Sequence, residues 1–196
     1  MPAPLELRNP QSVRAIFFDV GFTLLAPHPS VTQIALDATA RVGVALDVNC
    51  LRQQQKRSEE HLRSMSKAQP WTWGDETAIN STWTSYFTEM LRPCLADQPE
   101  KLDACVQETV RAFDDAGNYA LYPDVLPCLH ALYERGLTLG VISDWGVSLS
   151  LILRHHDLIA LVRIAAIQRM SLGFRVSQAS PAQCRKQPSE PVSCGA

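Results

Sequence analysis

Two residues stand where this sequence could do chemistry. Asp19 closes the apolar run Ala15-Ile16-Phe17-Phe18, and Ser143 closes a second run, Leu137-Thr138-Leu139-Gly140-Val141-Ile142. Short apolar runs rich in β-formers read as buried strands. In parallel sheets, ligands collect beyond the carboxyl ends of the strands, where these two side chains would lie. A carboxylate in that place can act as a nucleophile and form an acyl intermediate with its substrate. Amides of the following turn can cradle an anion, and a Ser hydroxyl can hold one of its oxygens. Taken singly, Asp19 reads equally as a turn or helix-capping residue, and Ser143 reads more readily as a residue without a chemical role.

The surrounding elements must bring the two together. After the first strand, Arg14 to Val20, the segment Gly21-Phe22-Thr23-Leu24-Leu25 turns away, and Pro27 and Pro29 close it. From residue 30 to about 117 the pattern is helical. Val31, Ile34, Ala35, Ala38 and Val42 share a face that ends near Gly43. The polar stretch Asn49 to Ser66 reads as a solvated helix or as nothing regular, whereas Ile79, Trp83, Tyr86, Phe87, Met90 and Leu91 form an apolar stripe. Asp97 and Glu100 have capping-box spacing ahead of the face Leu102, Cys105, Val106, Val110 and Phe113. Asp124 is expected to cap a helix carrying Val125, Leu126, Leu129, Leu132 and Tyr133, with Pro127 tolerated in its first turn and Gly136 as its stop. The second strand follows, then a helix from about Ser148 to Val162. That alternation predicts an α/β fold with a parallel sheet.

Composition narrows the partners. The chain has 196 residues, 46% of them apolar, and a net charge of -2. Near-balanced charge argues against nucleic acid or an anionic membrane surface as the main partner. No stretch approaches the ~18 apolar residues of a membrane span. Met1 to Gln11 is polar, holds three prolines and does not read as a secretory signal, so a cytoplasmic protein acting on a small molecule is expected. Cys50, Cys94, Cys105, Cys128, Cys184 and Cys194 lie far apart without metal-ligand spacing and are expected to be reduced thiols. Trp83 is expected in the core, Trp71 and Trp73 on a loop that could face a cleft, and His155-His156 at the surface. The tail, 176–196, holds four Ser, three Pro and three Gln without apolar periodicity, and is expected to be disordered.

Taken together, these residues resemble the haloacid dehalogenase (HAD) superfamily. Phe17-Phe18-Asp19-Val20-Gly21-Phe22-Thr23-Leu24-Leu25 is similar to its first motif. Tyr122-Pro123-Asp124-Val125, followed by Gly136 through Ser143, is similar to the approach to its second. The helical insert matches the family's C1-type cap, as in subfamily IA. The resemblance implies a Rossmann-like core over 12–27 and 118–175 with a helical cap over 28–117. It implies Asp19 as nucleophile, Thr23 ordering the motif loop and Ser143 holding the transferring group. Gly21, Phe22 and Asp144 would contact the substrate, although Asp144 reads more readily as a helix cap for the following segment. In phosphatase members Mg²⁺ is held by the nucleophile, a backbone carbonyl two residues on and a late acidic motif. Here the first two would be Asp19 and the carbonyl of Gly21.

Three departures qualify the resemblance. Gly21 stands where most phosphatases of the family carry a second Asp, a residue that dehalogenases and several uncharacterised capped subgroups also lack. Gly173-Phe174-Arg175 leads into the expected late Lys, but Val176 follows, and Lys186 comes about ten positions late. After Asp157 there is no further Asp, and Glu190 is the only acid, so the final acidic motif has no counterpart. The resemblance therefore implies a phosphatase of a small phosphate ester working through an aspartyl-phosphate at Asp19. A carbon-halogen hydrolase needing no metal is the first alternative. A truncated or frame-shifted inactive chain, with an incomplete sheet and an uncovered sheet edge, is the second.

Overall fold

The computed structural model describes residues 13–68, 75–143, 145–146 and 148–166. Trp71, Trp73, Asp144, Gly173, Phe174, Arg175, Lys186, Glu190, Cys184 and Cys194 lie outside the described residues, as does the tail.

A parallel three-stranded sheet runs in the order β1 (Ala15–Phe18), β4 (Thr138–Ile142), β5 (Arg163–Ala166). In the β1–β4 register, Phe18 lies beside Val141. The strand at β4 is buried as its apolar run requires, with Leu139 and Val141 inside. The expectation of a buried first strand is corrected. Among the described residues β1 pairs only with β4, and exposure alternates along it, with Ile16 and Phe18 half-buried on one face and Phe17 43% exposed on the other. An antiparallel ribbon of β2 (Leu25–Pro27) and β3 (Tyr119–Leu121) marks the two places where the chain leaves the sheet region and returns.

Between β2 and β3 lie α1 (Val31–Arg41), α2 (Val48–Ala68), α3 (Glu76–Leu91) and α4 (Leu102–Asp114). They pack around Leu51, Phe87, Met90, Leu91, Cys105 and Val106. Ser30 caps α1 through its side chain, and Gly43 stops it at φ +77°, a conformation glycine adopts without steric cost. The polar stretch is a regular 21-residue helix, α2. Its inward stripe is Leu51, Gln54 and Ser58, and two of those three are polar, so hydropathy does not reveal it. The capping box is also corrected. Asp97 lies in a turn, Pro99–Lys101 forms a 3-10 turn, and α4 begins afterwards without a side-chain cap.

The sheet region has its own core, built on Leu25, Leu129, Val141, Leu149, Ile152, Leu153 and Leu158. Helix α5 (Val125–Glu134) buries Val125 and Leu129, while Leu126 and Tyr133 stay exposed. Gly136 terminates its turn at φ +76°. The single helix expected over 148–162 is two pieces. Helix α6 (Leu149–His155) ends before Asp157, which sits at φ 57°, and a 3-10 turn over Leu158–Ala160 leads into β5. His155 is exposed, but His156 is half-buried, with its Nε2 buried and without a hydrogen-bond partner.

Cys50 and Cys94 form a disulfide joining α2 to the 3-10 turn after α3, which corrects the expectation of reduced thiols at these positions. Their Cα atoms, 44 residues apart in sequence, are brought to 5.8 Å by helix packing that cysteine spacing does not encode. Cys105 and Cys128 are thiols, and burial pushes the Cys105 thiol pKa up. Among the described residues, no helix is long and apolar enough to cross a membrane.

Candidate active site

Asp19 follows β1 directly and is half-buried. The next residue, Val20, is fully buried, and its carbonyl oxygen accepts from the amides of Thr23 (3.2 Å), Leu24 (2.9 Å) and Leu25 (3.2 Å). The Phe22 amide donates to the Leu25 carbonyl at 2.7 Å. This closed turn folds Thr23 back so that its Oγ1 donates to Asp19 Oδ2 at 3.1 Å. It also places Phe22 at φ 56°, an unfavourable conformation for an aromatic residue, and leaves its ring 73% exposed. The Phe22 and Thr23 amides, which the turn could have offered to an anion, are engaged within it.

Ser143 follows β4 and is 5% exposed. Because β1 and β4 run parallel with Phe18 opposite Val141, the carboxyl ends of both strands open on the same side. Asp19, Gly21, Phe22 and Ser143 all line one cavity of about 1030 Å³. Its far walls come from the helices, through residues such as Glu59 and Arg63 of α2 and Trp83 of α3. Trp83 packs as expected, its ring against Tyr86 at 5.7 Å and Phe87 at 6.3 Å, and it also faces the cavity. Burial first, then the neighbouring Glu59, raises the Tyr86 pKa; burial first, then Asp114, raises that of Tyr119. Both phenols are therefore neutral hydrogen-bond donors, and Tyr119 donates to the Phe113 carbonyl at 2.7 Å.

Sequence reasoning missed Trp145. Its ring packs over Gly21, so that a Cβ added at Gly21 would stand 3.3 Å from it, and it meets Tyr119 edge-on at 5.1 Å. A tryptophan two positions beyond the second strand's terminal Ser143 was the available signal. Glu76 was also missed: its Oε1 would lie 3.3 Å from a Cβ on Gly146, so the start of α3 touches the loop beyond β4.

Among the described residues the fit to the implied Mg²⁺ is poor. Asp19 and the Gly21 carbonyl supply two donors, and the ring over Gly21 leaves little room for a carboxylate side chain there. Among the described residues, no group of three His, Cys, Asp or Glu side chains could hold a metal ion.

No family model and no curated protein matches the sequence. Solved structures do match. A dehalogenase superposes at a TM-score of 0.53 with 18% identity, over 79% of this chain and 62% of that one. A dehalogenase with an intermediate complex gives 0.53 and 17%, over 81% and 66%. A Clostridium difficile protein assigned as a phosphatase gives 0.50 and 18%, over 88% and 68%. The fold is that of the HAD-type hydrolases. This chain spans less than two thirds of the length of that first dehalogenase. In this chain the carboxyl ends of β1 and β4 form one rim, and that rim carries Asp19 and Ser143.

Proposed function

We propose that this chain is a hydrolase in which the Asp19 carboxylate attacks a small-molecule substrate and carries it as a covalent intermediate. The observation that carries the reading is the Asp19 carboxylate on the cavity wall, oriented by the Thr23 hydroxyl at 3.1 Å and sharing that cavity with Ser143. Holding a nucleophile in one geometry lowers the barrier by removing orientational freedom before reaction.

Of the two reactions open to such a carboxylate, displacement at carbon is favoured here. Trp145 covers Gly21, where a second carboxylate would be needed as acid-base partner for phosphate transfer, and among the described residues the donor set falls short of a Mg²⁺ site. In the favoured reaction an Asp19 oxygen bonds to the substrate carbon while the carbon-halogen bond breaks, and halide leaves with the electron pair. Water then adds to the Asp19 carbonyl carbon, and the ester bond breaks. Alcohol departs and one proton passes to solvent. Ser143 is assigned to hydrogen-bond the substrate at the reacting end, and Phe22 and Trp145 to wall it off from water.

The test uses two panels with Asp19→Asn as control: chlorinated acids, amides and amines followed by chloride release, and aryl phosphates followed by phosphate release with and without Mg²⁺. Chloride release that Asp19→Asn abolishes is the expected result. Mg²⁺-dependent phosphate release lost in the same variant would move the reading to the phosphatase. Flat panels with a folded protein would refute both.

A further inference from the structure

One of the rings that wall the cavity carries a hydrogen-bond donor that the fold does not use. Trp83, Tyr86 and Phe87 of α3 line the cavity, as do Tyr119 and Trp145 from the sheet side. The two phenols differ in what their hydroxyls do. Tyr119 donates to the Phe113 carbonyl at 2.7 Å. Tyr86 is only 5% exposed, yet its hydroxyl makes no hydrogen bond among the described residues. Buried polar groups are normally paired, so a donor left open inside a site calls for an acceptor from outside the chain.

That hydroxyl is not sealed in the core. Among the described residues, the side-chain atoms that are both shut off from solvent and unpartnered are Ser58 Oγ and His156 Nε2, not Tyr86 Oη. Because Tyr86 lines the cavity, the cavity is where its hydroxyl opens. Its ring is held edge-on to Trp83 at 5.7 Å and to Phe87 at 5.0 Å. A donor fixed in advance loses little freedom when it binds. Burial first, then the neighbouring Glu59, raises the phenol pKa and keeps the proton in place near neutral pH. The phenol lone pairs are drawn into the ring, so the group donates better than it accepts. Asp19 reaches the same cavity from the end of β1, whereas Tyr86 reaches it from α3.

We propose that Tyr86 is a substrate-binding residue whose hydroxyl donates to a carbonyl oxygen of a ring-bearing substrate, away from the carbon that Asp19 attacks. Aromatic walls favour the flat apolar body of such a molecule. The inference rests on the reading of the cavity as the substrate site. It replaces a two- or three-carbon acid by an aryl ketone or aryl amide as the class to search.

The test measures binding to the full chain, without turnover, by ligand-observed NMR titration. Two probes of nearly equal shape, acetophenone and ethylbenzene, differ in the carbonyl oxygen. Tyr86→Phe is expected to weaken acetophenone about fivefold, the scale of one neutral hydrogen bond, and to leave ethylbenzene unchanged. The variant is also expected to melt no lower than wild type, because the deleted hydroxyl has no partner within the fold. An acetophenone affinity unchanged by the variant, an equal loss for both probes, a lowered melt, or no saturable binding of either probe overturns the proposal. No step depends on catalysis. The expected binding pattern beside flat hydrolysis panels refutes the nucleophile and not Tyr86, and hydrolysis with an unchanged acetophenone affinity refutes Tyr86 alone.

Discussion

Removing the Cys50–Cys94 disulfide tests how the helices around the cavity are held together. The bridge closes a loop with a sequence separation of 44, which spans most of α2 and all of α3. Loop-closure entropy in the unfolded chain assigns such a cross-link about 4 kcal/mol at 25 °C, and removal of native bridges commonly costs 2–5 kcal/mol. Both ends sit beside the helical core, since Leu51 next to Cys50 is fully buried and Leu95 next to Cys94 is 2% exposed. The double variant Cys50→Ala/Cys94→Ala is therefore expected to lose about 2–4 kcal/mol. With a urea slope of about 2 kcal/mol/M, the unfolding midpoint falls by about 1–2 M. The assay is equilibrium urea unfolding followed by circular dichroism, with reductant-treated wild type alongside. Peptide mapping of the native protein after thiol blocking identifies the linked pair. A loss under about 0.5 kcal/mol, or a map in which Cys50 and Cys94 are each blocked as thiols, refutes the reasoning.

Thr23→Val is expected to lower turnover roughly tenfold with KM nearly unchanged, because a hydrogen bond to a charged group is worth about 1.5 kcal/mol at the lower end. Thr23→Ser restores the rate, and a Val variant as fast as wild type would remove Thr23 from its positioning role. Phe87→Ala empties a site that is 1% exposed and ringed by Trp83, Tyr86 and Phe113. It is expected to cost about 3–5 kcal/mol in urea unfolding. Burial first, and the neighbouring His155 second, lower the His156 pKa, against the opposing pull of Asp157. The folded ring therefore stays neutral where the unfolded ring gains a proton, so this contribution is full above the ordinary value of 6.5 and is lost as pH falls through it. His156→Asn is expected to flatten the decline in melting temperature between pH 7 and 5, and an unchanged decline would contradict that assignment.

What could be read from the sequence was local. Asp19 and Ser143 stand out because each interrupts an apolar run at its carboxyl end, and the Ile79-to-Leu91 stripe announces α3 by its period. The features not legible depend on partners distant in the chain. A run such as Ala15–Phe18 is apolar whether one or both faces of its strand are covered, and only the alternating exposure along β1 shows the Phe17 face to be open. Helix α2 hides because Gln54 and Ser58 occupy its inward face. The Cys50–Cys94 link follows from the packing of α2 on α3, and the Trp145 ring over Gly21 follows from the loop beyond β4. Of these two only the Trp145 contact lies at the site, and neither has a spacing rule.

The most direct test of Asp19 as a nucleophile at carbon is a single turnover in ¹⁸O water, using the substrate from the chlorinated panel that releases chloride fastest. If water attacks the Asp19 carbonyl carbon of an ester intermediate, the solvent oxygen stays in the protein. Mass spectrometry of the peptide containing Asp19 then gains 2 Da, and the first-turnover alcohol carries the ordinary oxygen donated by Asp19. Label found in the alcohol, with the Asp19 peptide unchanged, would mean that water attacks the substrate directly and would contradict the account.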